Sequence, residues 1–395
     1  MKNLIAIALM SATVACSTAL SAAEQPRPLN FVVILADDLG AAELACYGNR
    51  EHRTPHLDRL AQEGMRFRTC YATPICSPSR VMLMTGRYGF RTGWYNFTGR
   101  PGSPTYKNSD YDLGTAELTF ADVLKTAGYA TALSGKWQLT GKVPTLIHDC
   151  GFDEYMMWAY KHNLPEGVVH TGAWEDAKSQ KTERYWHPSI VSNGKYRPTT
   201  ENDYGPDLFN DYLIDFIRRN KQRPFLAYYP MCLTHRPWRP TPDLEHKGRK
   251  TEGGLKHNVE YMDHLVGRLV QAIDDEGLRE NTVIFFMGDN GTQGAGKGAV
   301  TEMGARVPLI VRCPGAVLDG VVSDELVDLT DVFPTLIDFA HATLPTDRDI
   351  DGVSLVPTLR GENGTHRDWI FSYLHNRRIL RDQRWLLEGD GRFYD

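Results

Sequence analysis

Five runs of apolar residues restrict the fold of this chain more than any other feature of its sequence. The first, NFVVILADDLG at residues 30–40, is apolar without interruption until it ends in two acids. A strand that is buried on both faces of a parallel sheet has this composition. The other four are YATALSGKW (129–137), RPFLAYYPM (223–231), NTVIFFMGDNG (281–291) and VPLIVRCPG (307–315).

Helical patterns alternate with these runs. In TPHLDRLAQEG (54–64), Thr54 is placed to be the N-cap, Pro55 is the first helical residue and Gly64 is the stop. Further amphipathic helices are predicted at residues 116–128, 258–277 and 325–342. Strands that alternate with helices predict an α/β fold, with a large, mostly parallel central sheet and helices on both faces.

The pattern changes after residue 361. Residues 368–395 alternate in polarity around a Gly-rich turn, which predicts a small C-terminal antiparallel sheet. A length of 395 residues fits one large domain with a smaller appendage. We therefore predict a catalytic α/β domain at 24–361 and a β subdomain at 362–395. Residues 158–206, rich in aromatic residues, His and charge, are predicted to form a long insertion near a pocket.

Residues 1–23 have the pattern of a signal peptide. Lys2 precedes the apolar run LIAIALMSATVA, which is too short to span a membrane, and small residues precede a cut after Ala23. We expect secretion to the periplasm or the extracellular space, with lipid attachment at Cys16 as the alternative. No other segment is apolar for long enough to be a transmembrane segment. A net charge of −5 gives no reason to expect a nucleic-acid partner.

Two strand ends carry oxygen ligands. Asp37 and Asp38 end the first apolar run, and Asp289 and Asn290 end the fourth. Ligands bind beyond the carboxyl ends of strands in an open parallel sheet, so the four side chains are expected to converge. An all-oxygen set suits Ca²⁺ or Mg²⁺ rather than zinc. The alternative is that both pairs are only turn residues.

Cys76 is the candidate nucleophile. It begins CSPSRVMLMTG, in which Pro78 fits the first turn of a helix, so Cys76 is expected at a helix N-terminus. The helix dipole and the nearby cation Arg80 favour a thiolate there and predict a lowered pKa. The alternative is a buried structural cysteine, as expected for most of the seven cysteines, which show no zinc spacing and no evident pairing.

Cations follow other strands. Lys136 ends SGK, His235 follows the third run, Lys297 lies between glycines, and Arg306 precedes the last run. Each alone has a simpler interpretation, a solvated surface cation or a core histidine. Together with a divalent ion and a nucleophile, they suit transfer of a tetrahedral oxyanion, either sulfuryl or phosphoryl.

The segment CSPSRVMLMTGR resembles, over its whole length, the signature C-x-P-S-R-x-x-x-(L/M)-T-G-R of the formylglycine-dependent (type I) sulfatases of the alkaline phosphatase superfamily. The resemblance extends to ILADDLG, TPHLDRLAQEGMRF, LKTAGYATALSGKW, GDNG, GKG and GARVP, in the expected order. It implies an alkaline-phosphatase-like fold and a sulfuric ester hydrolase. It also implies that Cys76 is oxidised to formylglycine (3-oxoalanine) by a formylglycine-generating or anaerobic maturation enzyme.

The resemblance also implies residue roles. Hydrated formylglycine at position 76 would attack sulfur, and the second hydroxyl would then expel sulfate. Arg80 would support the modified residue, and His235 would protonate or stabilise the leaving oxygen. Lys136 and Lys297 would bind sulfate oxygens. One Ca²⁺, with Mg²⁺ as the alternative, would be held by Asp37, Asp38, Cys76 in its modified form, Asp289 and Asn290.

Two positions depart from the family pattern. GKWQLT has Gln138 where the family often has a histidine, and glutamine cannot act as a base near neutral pH. We therefore assign Gln138 to substrate binding, with Lys136, His235 and Lys297. The final GRFYD resembles the family's LYDL segment without its usual continuation.

Three functions fit these observations. The first is a secreted sulfatase that acts on a sulfated carbohydrate. The alternatives are a formylglycine-dependent phosphodiester or phosphonate monoester hydrolase, and a non-catalytic sulfoglycan-binding protein. Aromatic residues and histidines of the insertion are candidates for stacking on sugars or binding their anionic groups, although packing within the insertion is the simpler role for each: Trp158, His162, His170, Trp174, Trp186 and His187.

Overall fold

The computed structural model of the chain describes residues 27–108, 110–139, 141–159, 163–164, 166–167, 184–362 and 364–395. The predicted signal peptide and Cys16 lie outside this part, as do His162, His170 and Trp174 of the insertion. Among the helices within these ranges, none combines the length and the apolar character that crossing a bilayer requires.

A ten-stranded sheet forms the centre of the molecule, in the order β10-β2-β9-β8-β1-β7-β3-β4-β5-β6. Its strands are β1 (Asn30–Ala36), β2 (Met65–Tyr71), β3 (Ala130–Lys136), β4 (Glu154–Trp158), β5 (Ile190–Ser192), β6 (Lys195–Arg197), β7 (Phe225–Pro230), β8 (Thr282–Gly288), β9 (Arg306–Arg312) and β10 (Val321–Asp328). The five strands from β8 to β4 are parallel to one another, whereas β9 runs antiparallel to both of its neighbours.

The described helices are α1 (Pro55–Gln62), α2 (Cys76–Thr85), α3 (Gly89–Thr92), α4 (Pro104–Lys107), α5 (Leu113–Ala116), α6 (Phe120–Thr126), α7 (Gly205–Asn220), α8 (Leu255–Asp275), α9 (Glu302–Ala305), α10 (Val332–Phe339) and α11 (Val356–Leu359). They cover the sheet in two groups. In one, α8 contacts both α1 and α7, and in the other, α10 contacts both α2 and α6. Both groups reach β3, through α7 and α6, which confirms the α/β fold with helices on both faces.

Burial explains the apolar runs. Every residue of β1, β3, β7 and β8 is buried, because helices or neighbouring strands exclude water from both faces. Uninterrupted apolar strands belong to the centre of a parallel sheet for this reason. β9 runs antiparallel to both β2 and β8, and β8 is parallel to β1. β2 therefore runs in the same direction as β1. The carboxyl ends of β1, β2, β3, β7 and β8 therefore meet at one edge.

The predicted helix at residues 325–342 is wrong in its first half. Residues Val321–Asp328 form β10 beside β2, and α10 begins only at Val332. Asp328 ends the strand and accepts a hydrogen bond from Thr330 N, which opens the turn that leads into α10. The short segment ELVDL fits the apolar repeat of a helix as well as that of a strand. The strand forms because β10 can pair with the free edge of β2.

The C-terminal segment forms the predicted small antiparallel sheet, with strands β11 (Trp369–Leu374), β12 (Arg377–Asp382), β13 (Leu386–Leu387) and β14 (Phe393–Tyr394). It contacts the edge of the large sheet. Ile370 and Ile379 pack against Tyr71 and Leu326, and Ser372 Oγ donates to Ala72 O at 2.6 Å. The domain boundary at 361/362 remains a prediction.

Asp331 joins this C-terminal segment to the turn before α10. Its carboxylate is buried and accepts hydrogen bonds from Arg367 Nε at 3.0 and 3.1 Å, and His366 Nε2 lies 3.0 Å from it. Burial raises the pKa of Asp331, but the hydrogen bond from His366 and the charge of Arg367 outweigh it, so the pKa lies below its usual value.

We expect Asp331→Asn to lower the free energy of unfolding by about 3–5 kcal/mol, because it removes the buried carboxylate that pairs with the largely buried Arg367. The folded pKa of Asp331 is below the unfolded one, so its stabilisation is present above the unfolded pKa of about 3.9 and is lost as the pH falls through the folded value. Urea unfolding of both proteins at about pH 7 and about pH 3 should therefore show a smaller difference in acid.

Asp395→Asn is the matched control, because the ion pair of Asp395 with Arg384 is exposed on both sides. It should stay within about 0.5 kcal/mol of the wild type. Equal effects of the two substitutions would contradict the role of Asp331.

Candidate active site

The strand ends bring the predicted oxygen ligands together. Asp38 N donates to Asp289 Oδ1 at 2.9 Å, and Asn290 Nδ2 donates to Asp38 Oδ1 at 2.9 Å. Asp37, Asp38, Asp289 and Asn290 have no solvent-exposed surface. Asp38 has a φ of 58°, a left-handed conformation that aspartate tolerates better than most residues. Asp37-Asp38 and Asp289-Asn290 are therefore not merely turn residues at separate strand ends, because the two pairs contact each other.

Cys76 is the first residue of α2, and its thiol faces this cluster. Ile75 before it is extended, and Pro78 lies in the first turn, where a missing N–H costs no helical hydrogen bond. Cys76 Sγ and carboxylate oxygens of Asp37 and Asp289 lie within 4.8 Å of one another. The thiol donates to Gln138 Oε1 at 3.4 Å.

The predicted lowering of the Cys76 pKa is wrong. Burial raises the pKa of this fully buried thiol, and the charges of Lys136 and Lys297 offset only part of the effect. The carboxylates of Asp289 and Asp37 raise it further. Desolvation therefore outweighs the helix dipole, and the unmodified side chain is a neutral thiol rather than a poised thiolate.

Each of the three acids is bound by its own cation. Lys136 Nζ lies 2.7 and 2.6 Å from the two oxygens of Asp37. Lys297 Nζ lies 2.8 Å from Asp38, and Arg80 Nη2 donates to Asp289 Oδ2 at 2.7 Å. The cations named from the sequence thus lie at the cluster, with the exception of Arg306.

Arg306 does not join the site. Its Nε donates to the carbonyl oxygen of Arg68 at 2.8 Å, on the surface beside β2. It is the first residue of β9, which runs antiparallel to both of its neighbours, and it pairs with Tyr71. The apolar run after Arg306 predicted a strand but not its direction.

The acids differ in their titration. Burial raises the pKa of Asp37, but the charges of Lys136 and its neighbours outweigh this and hold it below the usual value. Burial and the charge of Asp37 raise the pKa of Asp289 to about 7, and they also raise that of Asp38. Three acids so close repel one another, and a further positive charge would favour the ionised form of all three.

The donor set fits a divalent cation. Asn290 Oδ1 is buried and has no hydrogen-bond donor in the described part of the chain, while Nδ2 of the same amide donates to Asp38 Oδ1 and Gly291 O. A buried amide oxygen that has no donor, in a side chain that contacts Asp38, is available as a ligand for a hard cation. Asp37, Asp38, Asp289 and Asn290 can therefore hold such an ion.

His235 lies at the open side of the cluster. Its Nδ1 contacts the carbonyl oxygen of Arg236, and its Nε2 lies 3.7 Å from Asp38 Oδ2. Burial lowers the pKa of His235 well below its usual value, and the charge of Arg184 lowers it further. The ring is thus neutral near pH 7, and Nε2 is the nitrogen that faces the cluster.

Arg184 is a residue of the site that the sequence did not reveal. Its guanidinium is buried, stacks over Trp158 at 4.1 Å from the ring centroid, and places Nη1 4.0 Å from Asp37 Oδ2. An arginine in an aperiodic insertion has no pattern that distinguishes it from surface arginines. The only available signal was the position of the insertion after β4.

Trp158 and Trp186, the described tryptophans among the sugar-binding candidates, both pack against neighbours. Trp158 is buried under Arg184, and the partly buried Trp186 is tilted against Tyr204 while Lys250 lies over its ring. His187 has its backbone in the left-handed region and donates its N–H to Asp203 O.

Comparisons with known proteins agree with this arrangement. The family model Sulfatase matches residues 29–342. The chain belongs to the sulfatase family.

Two relatives and one solved structure show how far the similarity extends. Mouse (Mus musculus) steryl-sulfatase is 33% identical over 460 residues, covering 96% of this chain and 73% of that protein. Dog (Canis lupus familiaris) N-acetylgalactosamine-6-sulfatase is 34% identical over 380 residues, covering 90% and 70%. The crystal structure of Ps i-CgsB in complex with k-i-k-neocarrahexaose is 27% identical, with a TM-score of 0.76 and coverage of 93% and 85%.

These findings confirm the sequence prediction of a sulfuric ester hydrolase with an alkaline-phosphatase-like fold. The prediction of an enzyme rather than a non-catalytic sulfoglycan-binding protein is thereby supported at the level of the family.

Glycines fix the loop that carries Lys297 in this sulfatase. A Cβ on Gly296 would lie 1.8 Å from Met303 O, and one on Gly304 would lie 1.9 Å from Ala299 O. The loop therefore packs backbone against backbone on α9, at a distance that only glycine permits. This close contact sets the position from which Lys297 reaches Asp38.

We expect Gly296→Ala to push the loop away from α9 and to move Lys297 Nζ. A displacement near 1 Å costs about 100-fold in activity, so kcat/KM for 4-nitrophenyl sulfate should fall by about that factor. Gly298→Asn is the control, since a Cβ there meets open space and asparagine tolerates the left-handed φ of 81°. Full activity of the Gly296→Ala protein would show that the loop position does not matter.

Proposed function

We propose that this sulfatase hydrolyses sulfate esters of a carbohydrate, through a formylglycine made from Cys76 and with one bound Ca²⁺. The observation that carries the proposal is the position of Cys76 Sγ, within 4.8 Å of carboxylate oxygens of Asp37 and Asp289, at the start of α2. An unmodified thiol there is neutral and buried, so it suits neither a disulfide nor an ordinary cysteine nucleophile.

The ligands proposed for the ion are Asp37, Asp38, Asp289, Asn290 and the modified side chain at position 76. All the groups on unmodified residues are oxygen donors, which favours Ca²⁺, and Mg²⁺ is the alternative. When present, the hydrated aldehyde supplies the attacking oxygen and the ion supplies positive charge beside it. The unpaired Asn290 Oδ1 supports this ligand set.

Lys136 and Lys297 are proposed to bind sulfate oxygens. Their ammonium groups lie on Asp37 and Asp38, and cations in this position can neutralise the charge that develops on a transferring sulfuryl group. Arg80 is proposed to support position 76 from the same helix. Its Nη2 donates to Asp289 and its Nη1 donates to Lys136 O at 3.3 Å, so it ties the acid to the end of β3.

His235 is proposed to face the leaving oxygen. Its Nδ1 contacts a backbone carbonyl, an acceptor, so Nε2 is the nitrogen available for the alcohol. Gln138 is proposed to bind sulfate and to orient position 76, because its Oε1 already accepts from the thiol of Cys76. A glutamine at this point can direct a hydrogen bond but cannot remove a proton, so the proton must leave through another group.

A carbohydrate substrate is supported by two relatives. N-acetylgalactosamine-6-sulfatase acts on a sulfated sugar by its name, and Ps i-CgsB was solved with an oligosaccharide. Secretion to the periplasm or the extracellular space is proposed from the signal sequence, and the maturation enzyme is the expected protein partner.

The deciding test is whether Cys76 is converted and whether the converted protein cleaves sulfate esters. The chain is co-expressed with a formylglycine-generating enzyme, and the peptide that contains residue 76 is analysed by mass spectrometry for loss of sulfur. We expect hydrolysis of 4-nitrophenyl sulfate and of sulfated sugars in proportion to conversion, because the thiol itself is a poor nucleophile here.

Cys76→Ala is the matched control and should remove turnover while the protein remains folded. Conversion without hydrolysis of any sulfate ester would overturn the proposal. Faster hydrolysis of a phosphodiester or a phosphonate monoester than of any sulfate ester would favour that alternative activity.

Metal removal gives an independent prediction. Ca²⁺ added to chelator-treated protein should raise the free energy of unfolding by about 2.7 kcal/mol at a concentration about 100 times the Kd. Asn290→Leu removes the unpaired amide oxygen, so the increase should shrink, as measured by thermal unfolding with and without the ion. An unchanged increase in the Asn290→Leu protein, or a larger increase with Mg²⁺, would contradict the proposed site.

A further inference from the structure

We infer that Arg236 determines substrate specificity by binding a second anionic group of the substrate, next to the reacting sulfate. The group would be a carboxylate or a second sulfate on a saccharide. The inference rests on the proposed function and deepens it, since it names the kind of carbohydrate that the site prefers.

Arg236 lies at the mouth of the site between its two cationic loops. It directly follows His235, whose Nε2 faces Asp38. Its Nη2 lies 3.5 Å from the point that a Cβ on Gly294 would occupy, and Gly294 belongs to the loop that carries Lys297. The guanidinium therefore spans from the His235 segment to the Lys297 loop.

A chain of contacts holds Arg236 in place from the bottom of the site. Thr234 N donates to Asp37 O at 2.6 Å, and Thr234 Oγ1 donates to Asp38 O at 3.2 Å. Trp238 Nε1 in turn donates to Thr234 O at 2.9 Å. The guanidinium of Arg236 stacks on this indole, 4.3 Å from its centroid. An exposed arginine held on such a platform loses less freedom when it binds an anion than a free one does.

Arg236 forms no ion pair with a carboxylate among the described residues, whereas Lys136, Lys297 and Arg80 each bind an acid of the cluster. Three residues further on, Arg239 has Nε and Nη2 buried with no acceptor in the described part of the chain. Within the described part of the chain, the loop after His235 thus has one arginine without a paired carboxylate, Arg236, and one with two guanidinium nitrogens that lack an acceptor, Arg239.

The chemistry favours a second anion over the reacting sulfate itself. The proposed sulfate pocket already contains two lysines, a histidine and a metal site, so a further cation at the rim adds little there. A planar guanidinium binds a carboxylate or a sulfate through two parallel hydrogen bonds. Such a contact on a neighbouring position of the sugar would select polyanionic saccharides over esters that carry one charge.

The test uses the converted enzyme and its hydrolysis of 4-nitrophenyl sulfate as the reporter. Two matched pairs of sugars compete with it: N-acetylgalactosamine 6-sulfate and its 4,6-disulfate, and glucosamine 6-sulfate and its 2-N,6-O-disulfate. The Ki is measured for each, whether or not the sugar is itself cleaved. We expect the disulfated member of at least one pair to bind about 10- to 100-fold more tightly, as for a hydrogen bond to a charged group.

Arg236→Gln should bring that ratio to within about threefold and leave the KM for 4-nitrophenyl sulfate unchanged, because this ester has one charge. Trp238→Leu should reduce the ratio partly, through the loss of the platform. Arg377→Gln is the matched control, since Arg377 is an exposed arginine on the C-terminal sheet, and it should keep the wild-type ratio.

Two results would overturn the inference. One is a wild-type enzyme with no preference for the second charge in either pair. The other is an Arg236→Gln protein that loses affinity equally for the monosulfated and the disulfated sugar of a pair. That result would indicate that Arg236 attracts any anion through its charge and makes no specific contact with the second group. If 4-nitrophenyl sulfate and all sugars resist hydrolysis, the proposed function fails instead, and calorimetric titration of the same sugars decides the inference.

Discussion

Lys136 and Asp37 face each other without any contact with solvent, and both carboxylate oxygens lie within 2.7 Å of the ammonium group. Burial this deep would normally raise the pKa of an acid, but the charge of Lys136 outweighs it and holds the pKa of Asp37 below its usual value. Because Asp37 follows β1 and Lys136 ends β3, two strands separated by β7, this ion pair can form only while the order β1-β7-β3 is maintained. The chemistry of the site and the topology of the sheet therefore depend on the same contact.

Much of this could be predicted from the sequence because the relevant constraints are local or nearly so. The uninterrupted apolar runs became buried strands, and residues at their ends converged because parallel strands share one edge. Cys76 could be placed at a helix start because Pro78 is compatible only with the first turn. The family signature, which covers the whole segment from Cys76 to Arg87, then supplied the chemistry that periodicity cannot give.

What the sequence did not reveal depends on contacts between distant segments. The segment at Glu325 is a strand because β2 lies beside it, and no property of ELVDL indicates that edge. Burial, which depends on the whole fold, reversed the expected shift of the Cys76 pKa. Arg184 reaches Asp37 across 147 positions of sequence, and Trp158 packs beneath its guanidinium. The acids therefore have a cation beside them that the motifs did not predict, Arg184, while the predicted Arg306 lies elsewhere.

The burial of Cys76 has a consequence for how the protein matures. A side chain with no exposed surface, enclosed by Asp37, Asp289 and Gln138, cannot enter the active site of another protein. Any enzyme that acts on this residue must therefore meet the chain before α2 docks on the sheet. The proposed conversion and folding would then compete in time, and a molecule that folds first would keep its thiol while it stays folded. The yield of active protein would be set by the order of these two events rather than by the stability of the folded state.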